Sequence, residues 1–92
     1  MTGIQFRVHA LQRMFTRGIS VEQVRRVIEA GETIEDYSAE MPEPGKLLFG
    51  LSGKLPIHVV VSEESASGQT TVVTVYVADP ERWRDNFRSR KP

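Results

Sequence analysis

The sequence predicts an α+β fold in which an N-terminal helical hairpin packs on one face of a four-stranded antiparallel sheet, followed by a short C-terminal helix. Apolar residues recur at helical spacing as far as Gly31, whereas alternating and β-branched stretches with short turns fill residues 33–78. Strands that follow one another through short loops pair antiparallel, and the helices then cover one face of the sheet.

Size and composition fit one small domain. The chain has 92 residues, of which 39% are hydrophobic and 26% charged, so we expect a single domain over residues 1–92 with a flexible tail at 89–92. It has no cysteine, which excludes a disulfide framework and a thiolate metal site. No apolar run approaches the roughly 18 residues that span a bilayer, and no secretory signal is visible. We therefore expect a cytoplasmic protein without membrane contact.

Two helices are predicted in the N-terminal third, after a short extended segment at residues 4–8. The first helix covers about His9–Arg17, and Gly18 is expected to end it in the left-handed conformation. Ser20 and Gln23 fit a capping box at the start of the second helix. The connection between them is so short that the two helices should form a hairpin.

The remainder of the chain predicts strands. They cover Thr33–Tyr37, Lys46–Ser52, Leu55–Glu63 and Thr70–Ala78, with loops at 38–45 and 64–69 that are rich in proline, glycine or serine. A last helix is expected after them, capped by Asp79, with Pro80 at its first position and with Trp83 and Phe87 packing it onto the body.

Residue parity sorts the last two strands into two faces. The all-aliphatic faces are expected to lie against the helices, and the opposite face is then a polar, partly aromatic surface on which a base could stack. The aliphatic set is Ile57, Val59, Val61, Val73, Val75 and Val77, and the opposite face presents Val72 together with His58, Thr74 and Tyr76.

A candidate anion site lies on the first helix. His9, Arg13 and Arg17 are four residues apart and share one helical face, whereas the apolar residues of this helix lie on another. An ionisable imidazole beside two permanent cations suits a phosphate, because guanidinium groups pair with phosphate oxygens. Alternatively, His9 caps the helix, Arg13 pairs with Glu35 or Asp36, and Arg17 favours the negative end of the helix dipole.

Charge is distributed unevenly along a chain whose formal net charge is zero. The net charge is +4 over residues 1–26, −7 over 27–79 and +3 over 80–92, and every arginine lies in the two end segments. Clustered arginines favour contact with phosphates, and the alternative is that solvated helices carry them.

Three strand residues are further candidates. His58 is either a general acid or base or a cross-strand polar residue, because imidazole titrates near neutrality. Tyr76 either donates a proton or stacks on a base, or it lies at the edge of a core, and Thr74 contacts substrate or is simply a β-former. Two histidines without cysteines give no metal-ligand spacing, and no nucleotide-binding motif is present, so we expect neither metal nor cofactor.

The motif His-Ala-x-x-Arg-Met-x-x-Arg-Gly-Ile-Ser at residues 9–20 resembles a family of small bacterial proteins of unknown function. The strand at 56–60 and the segment 74–83 share this resemblance. More distantly, the chain is similar to the RelE/BrnT-like toxin group, compact α+β proteins that include metal-independent messenger-RNA endonucleases. The resemblance implies catalytic roles for His9, Arg13, His58 and Tyr76, and substrate binding by Arg17 and Thr74.

Three functions follow as hypotheses. The leading one is a toxin-like, metal-independent endoribonuclease that acts on RNA and is held by a small antitoxin protein. The alternative is a non-catalytic module that binds nucleic acid or a protein. A third is a scaffold whose sheet edge accepts a strand from another chain.

Overall fold

A computed structural model of the chain describes residues 3–36, 45–63, 68–84 and 86–89. Most of the predicted loops at 38–45 and 64–69, and residues 90–92 of the predicted tail at 89–92, lie outside the described residues. One five-stranded sheet has the order β1-β5-β4-β3-β2. The elements are β1 (Ile4–Phe6), α1 (Val8–Arg17), α2 (Val21–Ala30), β2 (Glu32–Asp36), β3 (Gly45–Ser52), β4 (Leu55–Glu63) and β5 (Thr70–Val77).

The two N-terminal helices are confirmed, together with the local signals that predicted them, but α1 packs mainly on β5 and α2 mainly on β3 and β4 instead of on each other as in a hairpin. Gly18 ends α1 with φ 69°, a left-handed conformation that glycine adopts without steric cost. The Ser20 hydroxyl accepts from the Gln23 amide at 3.1 Å, and the Gln23 side chain accepts from the Ser20 amide at 2.7 Å. These reciprocal bonds form the predicted capping box and satisfy donors that the first turn of α2 leaves without helical partners.

The prediction of a four-stranded antiparallel sheet is wrong, because the sheet has a fifth strand and is mixed. β1 pairs in parallel with β5, in a register that places Ile4 opposite Thr70 and Phe6 opposite Val72. The other neighbouring strands are antiparallel. The predicted extended segment before α1 supplies this strand. A segment as short as β1 contains nothing in its sequence that identifies its partner strand, which lies near the other end of the chain.

The prediction of a C-terminal helix is also wrong. Asp79 does cap a turn, because its side chain accepts from the Glu81 amide at 2.9 Å and its carbonyl accepts from the Trp83 amide at 2.9 Å. No helix follows within the described residues 80–84 and 86–89. Phe87 has φ 57°, which interrupts a right-handed helix, and the Arg84 amide donates to the Ser89 carbonyl at 2.9 Å as the chain folds back.

A β-bulge in β5 alters one part of the predicted parity. Val60 lies opposite Thr74 and Val61 lies opposite Val72, so Val73 is an extra residue in its strand. Val72, rather than Val73, therefore belongs to the helix-facing core with Val75. The positions after the bulge keep their predicted faces.

Both faces of the sheet are covered. On one face, α1 and α2 contribute Ala10, Met14, Val24 and Val27 to the main core. On the other, residues after β5 cover the surface that the sequence had predicted to be open, and Trp83 is 3% exposed. Arg88 holds this segment to the sheet through its ion pair with Glu32 at 2.7 Å and by stacking on the Phe49 ring. No helix in the described part of the chain is long and apolar enough to cross a membrane.

Gly31 tests the packing of α2 against β3. A Cβ at this position would overlap the carbonyl oxygens of Val27 and Phe49, although the backbone itself is extended with φ −75°. We expect Gly31→Ala to lower the free energy of unfolding by about 1–3 kcal/mol, because the neighbours are backbone atoms that cannot move aside. Urea denaturation measures this loss.

The matched control is Gly3→Ala, since nothing lies within 4 Å of a Cβ placed there. It should change the stability by less than about 0.5 kcal/mol. Equal effects of the two substitutions would contradict the close approach of α2 to β3.

Candidate anion-binding groove

A surface groove of about 510 Å³ runs between α1 and the segment that follows β5. Residues 74–77 of β5 lie between these two walls. Since successive side chains of a strand point to opposite faces, a groove lined by four consecutive residues runs along the edge of that strand. The walls are formed by Arg13 and Arg17 on one side and by Asp79, Arg82 and Trp83 on the other.

The position of α1 explains why its arginines reach this edge. α1 packs on β5, and its small and flexible residues Ala10 and Met14 are buried in the main core. Arg13 and Arg17 are next to this buried stripe on the helix and are exposed. Their spacing of four residues places one guanidinium a turn above the other on the same face.

The groove carries an excess of positive charge. Three guanidinium groups and one carboxylate line it. Arg13, Arg17 and Arg82 form no ion pair with any residue in the described ranges. The alternative pairing of Arg13 with Glu35 or Asp36 is not formed, because β2 lies at the opposite edge of the sheet from α1 and β5.

His58 lies behind the groove rather than in it. Its side chain is fully buried and packs edge-on against the rings of Phe49, Tyr76 and Trp83. Nε2 lies 2.9 Å from the Phe87 carbonyl oxygen, which can only accept, so this nitrogen carries a proton. Nδ1 lies 3.2 Å from the Tyr76 hydroxyl. His58 therefore joins β4, β5 and the C-terminal segment, and a substrate cannot reach its ring directly.

His9 and His58 do not meet. His9 is exposed on α1, one turn before Arg13, and does not line the groove. α1 covers the Val75 face of the sheet, whereas the His58 ring lies on the opposite face with Trp83, so the sheet itself separates the two imidazoles. Four of the six predicted site residues do share the groove, namely Arg13, Arg17, Thr74 and Tyr76.

The sequence interpretation missed Arg82, and it assigned Asp79 and Trp83 to a helix instead of to a site. The available signal was the surplus of basic residues after residue 79. This surplus indicates a site only when the path of the chain is known, because that path brings Arg82 back beside β5. Among the residues that the structure describes, no group of three or more histidine, cysteine or acidic side chains could hold a metal ion.

The fold and groove define a small α+β domain with basic residues along one sheet edge. The chain belongs to the family described as Domain of unknown function (DUF4258), whose model matches residues 6–77. The match includes Arg13, Arg17, Thr74 and Tyr76 but ends before the wall formed by Asp79 and Arg82. Comparison with curated proteins and with solved structures gives no match.

Alanine substitutions of the two histidines test whether His58 is buried and His9 exposed. We expect His58→Ala to lower the free energy of unfolding by about 2–4 kcal/mol, because it leaves a cavity among aromatic rings and removes the bond to the Phe87 carbonyl. His9→Ala should change it by less than about 0.5 kcal/mol, since His9 is exposed. Thermal and urea denaturation compare the variants, and a neutral His58→Ala would contradict the buried position.

Proposed function

We propose that the groove binds the phosphodiester backbone of single-stranded RNA. The observation that carries this proposal is the convergence of Arg13, Arg17 and Arg82 on one groove without ion-pair partners among the described residues. A guanidinium presents several donors in a planar fork that fits phosphate oxygens, and it also stacks on bases. A basic groove that follows one strand edge suits a flexible single strand, whose backbone can be led along it.

The distant, fold-level similarity of the chain to the RelE/BrnT-like group favours RNA over DNA. The α1 motif supplies Arg13 and Arg17, both of which lie in the groove. Thr74 adds a hydroxyl that can donate to phosphate or to a ribose oxygen. Tyr76 adds an aromatic ring between the two walls of the groove, and a base can lie beside this ring.

Binding to a single-stranded RNA oligonucleotide tests the proposal. The double variant Arg13→Ala and Arg17→Ala should weaken binding at least about tenfold and should make the logarithmic salt dependence shallower by about 1.4, because each lost phosphate contact contributes roughly 0.7. Fluorescence anisotropy at several salt concentrations measures both quantities.

The control is Arg25→Ala with Arg26→Ala, which removes the same charge from exposed positions on α2, away from this groove. This pair should have a much smaller effect. If both double variants weaken RNA binding equally, the attraction is general and the groove is not the site.

A second candidate is a metal-independent endoribonuclease, and it is favoured by Tyr76, which lines the groove and whose hydroxyl lies 3.2 Å from His58 Nδ1. In this reaction the ribose 2′-oxygen attacks phosphorus, the 5′-oxygen leaves, and a 2′,3′-cyclic phosphate forms. The 2′-hydroxyl would lose its proton to water, Tyr76 would donate its hydroxyl proton to the leaving 5′-oxygen, and Arg13 and Arg17 would stabilise the added negative charge of the phosphorane. His58 would hold Tyr76 in position from behind. Binding ranks first because neither histidine lines the groove.

Tyr76→Phe separates these two functions. If the chain cleaves RNA, the wild type should release a 2′,3′-cyclic phosphate in the presence of a chelator. The variant should bind RNA normally but cleave it at least about a hundredfold more slowly, because it has lost the hydroxyl that transfers the proton. Gel analysis of labelled RNA measures cleavage. Intact RNA with folded wild-type protein would exclude the ribonuclease and leave the binding proposal standing.

A further inference from the structure

The strand β5 has a free edge beside the groove. β1 covers β5 only from Thr70 to Val72, because the chain leaves the sheet after Phe6 and enters α1. Beyond Val72, no strand in the described ranges pairs with this side of β5, and β4 occupies its other side. Such an edge presents backbone donors and acceptors to solvent.

The register identifies the backbone groups that face outward. The Ala78 amide donates to the carbonyl of Pro56 at 2.9 Å, and Ile57 lies opposite Val77. Opposed residues in an antiparallel pair alternate between bonded and non-bonded positions. Tyr76 is therefore bonded to β4, whereas the amide and carbonyl groups of Val75 and Val77 point away from β4.

These outward groups lie in the groove. Val75 and Val77 both line it, although the Val75 side chain is buried in the main core. No residue in the described part of the chain forms a backbone hydrogen bond with either of them on this side. The free length from Thr74 to Val77 is about 13 Å at roughly 3.3 Å per residue, which is enough for a strand of four or five residues.

We propose that this edge accepts a short, extended, acidic segment of a partner protein as a sixth strand of the sheet. Main-chain hydrogen bonds to Val75 and Val77 would hold the segment, as in other cases of strand addition. Successive side chains of an added strand point to opposite faces. Acidic residues would then meet Arg13 and Arg17 on the α1 side and Arg82 on the other.

Charge distinguishes this partner from a second copy of the chain. Two β5 edges paired with each other would bring the arginines of both groove walls together. Like charges at close range oppose such pairing, as basic residues commonly do at sheet edges. An acidic strand gains both the backbone bonds and the opposite charge. The proposal rests on the backbone groups of β5 and holds whether or not RNA binds, although both ligands would occupy the same groove.

The probe is a short capped peptide of consecutive glutamates flanked by valines, which presents acidic side chains on both faces of an added strand. The readout is amide hydrogen exchange followed by NMR on the full chain. In the free protein, the Val75 and Val77 amides should exchange faster than the Tyr76 amide. At saturating peptide, their exchange should slow about tenfold or more, whereas Tyr76 should change little. If exchange at Val75 and Val77 is unaltered by bound peptide, the proposal is wrong.

Two control peptides separate strand pairing from simple charge attraction. A peptide of the same charge whose alternate amides are N-methylated cannot complete the ladder and should give no protection. A peptide with lysine in place of glutamate should not bind. Equal binding and protection by the methylated peptide would overturn the proposal, and so would concentration-dependent protection of the free protein, which would identify a second copy as the occupant.

A pair of protein variants and a competition measurement with RNA complete the experiment. Arg17→Glu should weaken peptide binding about tenfold or more, whereas Arg25→Glu on α2 should leave it within about twofold.

A single-stranded RNA oligonucleotide should displace the peptide without protecting the Val75 and Val77 amides. Equal protection by RNA alone would assign the edge to nucleic acid and overturn the proposal. Failure of RNA to bind would contradict the proposed function only, because the peptide measurements do not depend on it.

Discussion

The parallel pairing of β1 with the first part of β5 is the interaction on which the rest of the structure depends. It fixes the point at which the chain leaves the sheet, with the Arg7 amide donating to the Val72 carbonyl at 3.1 Å immediately before α1 begins. From there α1 can only cross the face of β5, which brings Arg13 and Arg17 to its edge. Because β1 is only three residues long, no strand in the described ranges covers the second half of that edge.

The C-terminal segment provides the other wall, and His58 helps to hold it. Its ring is enclosed by aromatic side chains from three parts of the chain and bonded to the Phe87 carbonyl. A buried polar group is tolerated when its hydrogen bonds are satisfied, and it then fixes the geometry around it. His58 thus contributes to the groove by anchoring its lining, including Tyr76, instead of facing a ligand. This accounts for a histidine between the aliphatic residues Ile57 and Val59 of β4.

Several elements were predictable because their signals are local. The capping box of Ser20 and Gln23 and the left-handed Gly18 require only neighbouring residues, so the two N-terminal helices could be derived directly. The faces of β4 followed from parity, but the bulge at Val73 exchanged the roles of two valines in β5. The predicted C-terminal helix failed for a related reason. Trp83 and Phe87 have helical spacing, yet both pack on the sheet face opposite the helices through an irregular path that includes a positive φ at Phe87.

The sequence by itself determined the two N-terminal helices, most strand positions, the cluster of Arg13 and Arg17, and the candidate residues Thr74 and Tyr76. Only the tertiary structure decided that these four residues share a groove, that Arg82 joins them, and that His58 is sealed from solvent while His9 remains outside. The physical reason is the separation along the chain of the residues that interact. Caps and periodicity act between residues a few positions apart, whereas the order of strands and the path of an irregular segment depend on contacts between distant parts of the chain.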